Sequence, residues 1–131
     1  MSWSQYVKQS LCGSNIIDKA SIHSNQGGAP WASEPEDWKP TDDELAILVK
    51  AFADTKDIKD VQSEGFHIAG ERYVCIKCDD RDIWGKKGKT GIVIAKTKQA
   101  IIIGHYPEGV QPGPATKVVG DLSDYLISVG Y

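Results

Sequence analysis

The chain is poor in the residues that announce chemistry or a cross-linked scaffold: 131 residues hold three cysteines, three histidines and one methionine. An odd number of cysteines argues against a disulfide framework. The opening Met1-Ser2-Trp3-Ser4-Gln5-Tyr6-Val7 has no basic stretch followed by an apolar one, so no secretory signal is expected and the thiols should be reduced, in the cytoplasm. No apolar run approaches the roughly 20 residues that cross a bilayer, and no transmembrane segment is expected. Net charge is only −3, and no nucleic-acid partner is expected. The length suits one domain, residues 1–131, that can enclose a core without metal or disulfides.

The motifs that would mark a catalyst are also wanting. Gly88-Lys89-Thr90 has the end of a phosphate-binding loop, but the required first glycine falls on Ile83, and the segment leads into a strand pattern rather than a helix. Cys75-Ile76-Lys77-Cys78 has C-x-x-C spacing but lies in a strand pattern, where residues three apart point to opposite faces. A buried Cys and a free thiol near a strand end are expected there. His23, His67 and His105 fall at strand ends and match no metal-ligand or Ser-His-Asp pattern. Asp79-Asp80 reads as a hairpin loop and Asp42-Asp43-Glu44 as a helix start, where acids are favoured anyway. An enzyme has no constellation to stand on, and neither cofactor nor metal is expected.

What is present is a meander. Phe66-Ile68, Tyr73-Cys78, Gly91-Ile94 and Ala100-Tyr106 are apolar or alternating runs separated by short Gly-, Asp- and Lys-rich connections, Gly85-Thr90 among them. They predict antiparallel strands. A hairpin is expected earlier, from Asn15-Ile22 through the turn Asn25-Gln26-Gly27-Gly28 to Ala29-Ala32, with Trp31 on its second strand. Three helices are predicted. The first covers residues 2–12, with Trp3, Tyr6, Val7 and Leu11 at helical spacing, Ser2 as N-cap and Gly13 as stop. The second runs from Thr41 to Ala53, where Thr41 and Glu44 form a capping-box pattern ahead of Leu45, Leu48, Val49 and Phe52. The last opens near Pro114, with Val118, Val119, Leu122, Leu126 and Val129 as its stripe. Residues 54–64 read as a polar, acidic connection. The elements make an α+β fold around a central antiparallel sheet.

Charge is unevenly spread. Residues 1–64 carry 6 basic and 11 acidic side chains (−5) and residues 65–131 carry 9 and 7 (+2). The C-terminal half is the expected docking surface for an acidic partner, although lysines such as Lys86, Lys87, Lys89, Lys96 and Lys98 commonly do no more than solvate hairpin tips.

The aromatic residues remain. Trp3, Tyr6, Trp31, Tyr125 and Tyr131 cluster toward the chain ends. Singly, each such ring is more often a core residue. Together they suit a groove for polyproline II, in which proline rings stack on flat faces and exposed carbonyls accept from indole N–H or phenol O–H.

Here the chain resembles the profilin family over nearly its whole length. The resemblance rests on the opening Met1-Ser2-Trp3-Ser4-Gln5-Tyr6-Val7, the pair Trp31-Ala32, Gly85-Lys86-Lys87-Gly88, Pro112-Gly113 and Gly120-Asp121-Leu122-Ser123-Asp124-Tyr125-Leu126. With no long insert before the last helix, it looks more like plant, fungal and protist profilins than vertebrate ones. The resemblance implies terminal helices on one face of the sheet and the remaining helix on the other. It implies an actin-monomer-binding protein that regulates polymerisation and nucleotide exchange and links actin to proline-rich assembly factors such as formins. Poly-proline contacts carry over to Trp3, Tyr6, Trp31, Tyr125 and Tyr131. Actin contacts carry over to Arg72, Val74, Ile76, Lys77, Lys86, Val110, Gly113, Thr116, Lys117 and Asp121. Phosphoinositide headgroups are a further expected ligand, through Arg72, Arg81, Lys86, Lys87 and Lys89. The chain departs from the family at Trp84, where many relatives carry Arg in a position that contributes to actin and phosphoinositide contacts. The competing expectation, from a different class, is a small-molecule sensor module, since a sheet flanked by helices can enclose a ligand.

Overall fold

The computed structural model describes residues 3–28, 30–35, 37–53, 64–79 and 81–131. Seven antiparallel strands form one sheet: β1 (Lys19–Ser24), β2 (Ala32–Glu34), β3 (Phe66–Ile68), β4 (Glu71–Cys78), β5 (Asp82–Lys87), β6 (Thr90–Lys96) and β7 (Ala100–Tyr106). Their order across the sheet is β2-β1-β7-β6-β5-β4-β3. The predicted meander is therefore present with one strand more than expected. Asp82–Lys87 is strand, not connection, and pairs with both β4 and β6. Its Gly85, Lys86 and Lys87 have the composition of a turn, yet Ile83 and Gly85 face one side of the sheet while Trp84 and Lys86 face the other.

Period-two alternation sorts side chains into two cores. On one face Ala20, Ile22, Val93, Ala95, Ile102 and Tyr106 pack beneath the N-terminal segment and α3 (Pro112–Ser128). On the other, Phe66, Tyr73, Ile83, Ile92, Ile94, Ile101 and Ile103 meet Leu45, Leu48 and Phe52 of α2 (Asp42–Ala53). The expected arrangement, terminal helices on one side and the middle helix on the other, is the one seen. Gly104 lets α3 come down on the sheet: a Cβ there would lie 2.8 Å from Val119 Cγ2 and 3.3 Å from Ile17 Cδ1.

The capping box of α2 is formed, with Thr41 N–H donating to Glu44 Oε1 at 2.8 Å and Glu44 N–H to Thr41 Oγ1 at 3.2 Å. Glu44 does more than the motif requires. Its two oxygens also accept from Ala69 N–H (2.8 Å) and Gly70 N–H (2.9 Å), tying the helix start to the β3–β4 turn. In α3, Pro112 takes the first position, where a missing N–H costs nothing, two residues ahead of the expected start.

The N-terminal helix differs from expectation. A single α-helical turn, α1 (Trp3–Gln5), passes into a π-helical segment, Tyr6–Leu11, and a 3-10 turn, Cys12–Ser14. Cys12 N–H donates to Val7 O, the five-residue spacing of a π-helix. The segment ends at Asn15, in the left-handed region at φ 62°, rather than at Gly13. The hairpin turn falls as expected, but the strands flanking it begin later, and Trp31 stands one residue before β2, held by its N–H to Ile22 O at 2.7 Å. The expected cap Ser2, Ala29, Asp80 and the connection 54–63 lie outside the described residues.

Candidate functional site

The two chain ends meet over one edge of the sheet, and the five aromatic residues meet with them. Trp3 is central: its ring centroid lies 4.7 Å from Trp31, 5.0 Å from Tyr131 in an edge-on contact and 5.5 Å from Tyr6. Tyr6 lies 6.2 Å from Tyr125 and Trp31 6.5 Å from Tyr131. These separations are those of favourable tilted and edge-to-face aromatic pairs. Tyr6 is 8% exposed and forms the floor, whereas Tyr125 (50%) and Tyr131 (40%) form open walls, and Trp3 and Trp31 are half-buried. Burial raises the Tyr6 phenol above its ordinary pKa, and a hydrogen bond with Tyr125 and the charges of Tyr125 and Tyr131 raise it further, so it is a neutral hydroxyl at physiological pH.

The backbone holds these rings in place. Val7 and Leu11 anchor the Trp3/Tyr6 segment in the core, and Leu122 and Leu126 do the same for Tyr125 on α3. Tyr131 is clamped by residues that carried no sequence signal. Its carbonyl accepts from Thr97 Oγ1 at 2.7 Å and from Gln99 N–H at 2.5 Å, and its N–H donates to Leu126 O at 2.8 Å. Gln99 Nε2 adds a bond to Gly130 O at 2.9 Å. The Lys96–Ala100 turn thus positions a wall of the trough. Beyond Tyr6 and Tyr125 the trough continues into a hollow of about 500 Å³, lined also by Ser10, Val118, Asp121 and Leu122.

The residues carried to actin fall on a different part of the molecule. Val74 pairs with Lys86, Lys86 with Gly91 and Gly91 with Tyr106, a single row across β4 to β7 on the face that bears α3. α3 covers β6 and β7 and leaves the β4 end open. Val74 and Ile76 are 57% and 56% exposed there, an uncommon exposure for large aliphatic side chains on a strand, and Arg72, Lys77 and Lys86 are their neighbours in sequence or register. Gly113, Thr116 and Lys117 lie in the first half of α3, and Val110 in the loop that leads to it, packed against the core. Asp121 turns the other way, into the hollow beside Tyr6 and Tyr125, and reaches this group only through its 3.0 Å ion pair with Lys117.

Of the five basic residues expected at phosphoinositides, four are engaged within the protein. Arg72 donates to Glu64 O at 2.8 Å, Arg81 lies 3.6 Å from Asp124, Lys87 pairs with Glu71, and Lys89 lies 3.3 Å from Glu108. Lys86 makes no ion pair among the described residues. Trp84 packs against the α3-side core with Lys77 Nζ 4.5 Å from the centre of its ring, and its buried Nε1–H meets no acceptor among the described residues.

The described residues contain no group of three or more His, Cys, Asp or Glu able to hold a metal, and no helix among them is long and apolar enough to cross a membrane. The C-x-x-C pair is not arranged as expected. The β4–β5 register shifts between Cys75 and Lys77, so Cys75 pairs with Gly85 and Cys78 with Ile83, and both cysteines pack on the α2-side core. A bulge at Ile76 reverses the alternation that should have separated them.

Fold and site together define an α+β fold whose chain ends present an open aromatic trough. The family model that matches is Profilin, over residues 1–131. The chain is 42% identical to Profilin-2 of Acanthamoeba castellanii over 131 residues and 41% identical to the profilin of Saccharomyces cerevisiae over 132, in each case covering all of both chains. Crystalline Acanthamoeba castellanii profilin II superposes with a TM-score of 0.91 at 41% identity, covering 99% of this chain and all of that one. Mouse profilin IIa, solved in complex with a double repeat from the FH1 domain of mDia1, shares the fold at a TM-score of 0.80 and 17% identity, each chain covered in full. This chain belongs to the profilin family, and it stands nearer the amoebal and fungal members than the vertebrate ones.

Proposed function

We propose that this protein is a two-site adaptor that binds monomeric actin on the open β4–β5 face beside the start of α3 and a proline-rich segment in the aromatic trough, and so regulates actin polymerisation. The observation that carries the reading is the convergence of Trp3, Tyr6, Trp31, Tyr125 and Tyr131 from both chain ends into one half-open trough. A polyproline II helix carries no internal hydrogen bonds, and its rings and carbonyls face outward. Flat rings at varied tilts accept its proline faces, and the indole and phenol donors reach its carbonyls. The ligand class is argued from these rings, in a fold whose mouse member is solved with an FH1 repeat. Formins and similar proline-rich assembly factors are the partners this chemistry fits.

Support for the actin face is the exposed pair Val74 and Ile76 flanked by Arg72, Lys77 and Lys86, an apolar centre with a basic rim. Contacts through Val110, Gly113, Thr116 and Lys117 would extend it, with Asp121 holding Lys117. Faster nucleotide exchange on actin follows if the adaptor binds an open-cleft state more tightly than a closed one. In this role the chain performs no covalent step on actin or its nucleotide, and its place is the cytoplasm. An anionic headgroup would first have to displace Asp124, Glu71 and Glu108 from Arg81, Lys87 and Lys89, which leaves phosphoinositide binding the weakest of the three activities.

The test is tryptophan fluorescence titrated with oligoproline, followed by an actin pull-down from the polyproline-bound fraction. Saturable quenching or enhancement and actin in the eluate are expected. Absence of any saturable change would favour the sensor-module alternative.

A further inference from the structure

We propose that Cys75 and Cys78 are a dithiol site of oxidative modification, closing to an intrachain disulfide when a hydroperoxide oxidises the protein. In a regular strand residues three apart are separated by about 10 Å and point to opposite faces, whereas a disulfide needs Cα atoms within about 4.4–6.8 Å and side chains that converge. The bulge at Ile76 removes both obstacles. It sets the two cysteines opposite Gly85 and Ile83, on the same face of β4, and bends the strand between them. Both side chains pack against the α2-side core and both are half-buried rather than sealed. Gly85, across from Cys75, has no side chain of its own, and Phe66, Ile92 and Tyr73 fill the place its Cβ would take, so the pair lies against a packed floor. Cys75 Sγ–H donates to Lys77 O at 3.3 Å, within the loop that the disulfide would close. No third His, Asp, Glu or Cys among the described residues joins them as a metal group, which leaves thiol chemistry.

The remaining thiol cannot compete. Cys12 packs against the core on the other face, so the sheet lies between it and the pair. Burial first, and then the neighbouring Glu34 and Asp18, push its thiol up to about 11, as high as that of Cys75, so it is the intervening sheet that keeps it from resolving a modified Cys78.

Cys78 sulfur attacks the hydroperoxide, the O–O bond breaks, and the Cys78 proton leaves with the departing oxygen, giving a sulfenic acid and, from hydrogen peroxide, water. Cys75 sulfur then attacks the sulfenic sulfur. The S–S bond forms, the S–O bond breaks, and the hydroxide leaves as a second water with the Cys75 proton. Burial, the Cys78 charge and a hydrogen bond with that thiol push Cys75 up to about 11, which suits it to the second, resolving role rather than the first. Two electrons pass from the thiols to the peroxide, and a dithiol reductant reverses the change by exchange. Ile76, carried outward at the bulge, is the side chain whose position depends on whether the link is open or closed.

The experiment is peroxide treatment of the full chain, followed by denaturation, thiol alkylation and intact mass, with peptide mapping of the product. Three alkylatable thiols before treatment, one afterwards, a mapped Cys75–Cys78 link, and recovery of all three with dithiothreitol are expected. The Cys12→Ser variant should lose both of its thiols in the same way, and Cys75→Ser should leave a Cys78 sulfenic acid that dimedone traps. Three free thiols after peroxide, a link that includes Cys12, a link between two chains, or equal dimedone trapping at Cys78 in the unaltered protein would each overturn the proposal.

Discussion

The Thr97 hydroxyl donates to the main-chain carbonyl of Tyr131 at 2.7 Å, across 34 residues of sequence. The same oxygen accepts from Ala100 N–H at 3.0 Å, so one buried side chain both closes the β6–β7 turn and pins the last aromatic wall. Thr97→Val removes both bonds. The expected result is about 1–3 kcal/mol of lost stability, the cost of buried groups left without partners, together with weaker oligoproline binding. Urea unfolding and a fluorescence titration on the same preparation would read the two effects. A destabilised variant with unaltered oligoproline affinity would show that the clamp does not shape the trough.

Trp3 touches three of the other four trough rings. Trp3→Ala should weaken oligoproline binding by about 2 kcal/mol or more, as expected of a central aromatic anchor, and leave actin affinity little changed. Equal loss at both sites would indicate misfolding.

Lys117 lies on α3 away from the rings, 3.0 Å from Asp121. Lys117→Glu should lower actin affinity, because it reverses a charge and sets two carboxylates side by side, while oligoproline binding stays intact. Unchanged co-purification with actin would remove Lys117 from that surface.

Stability should fall in mild acid. His23 is buried, with Nε2 2.5 Å from Ser21 Oγ and Nδ1 3.3 Å from the Gly28 carbonyl. Burial lowers its pKa, with the Lys39 charge adding to the drop while the Gly28 bond and Asp42 oppose it. The unfolded chain takes up this proton near pH 6.5 and the folded one only at lower pH. The contribution is therefore complete above pH 6.5 and is lost as pH descends toward the folded value. Urea midpoints at pH 7.5 and 5.5 should differ, and His23→Gln should narrow the difference.

Gly104→Ala should cost about 1–3 kcal/mol by overpacking, since the added methyl meets Val119 and Ile17. A shallower urea midpoint is expected, along with a weaker trough if α3 lifts and carries Tyr125 with it.

The sequence made most of the architecture legible because its signals are local. The Thr41/Glu44 box, the apolar stripe of α3 and the β-branched runs of β6 and β7 each specify an element without help from distant residues. Where a signal depended on a partner, it failed. Lys86 and Lys87 read as a turn because strand pairing on both sides of β5 leaves no local trace. The Ile76 bulge, which puts Cys75 and Cys78 on one face, is set by register with β5 and not by composition. The five rings were evident as a group, but Thr97 and Gln99 were not, since a Thr and a Gln in a turn have many uses. The ion pairs of Arg81, Lys87 and Lys89 were likewise beyond reach, because each joins segments far apart in the chain.

The π-helical stretch gives the N-terminus one spare residue. The wide turn takes up one residue more than an α-helical stretch of the same rotation, at about 100° per residue, so deleting one position between Tyr6 and Leu11 would restore ordinary winding with Trp3 still in phase with the core anchors below it. The indole would still face Trp31 and Tyr131. An inserted residue, with no second wide turn to absorb it, would instead swing Trp3 by about 100°, so the segment should tolerate losing one residue better than gaining one.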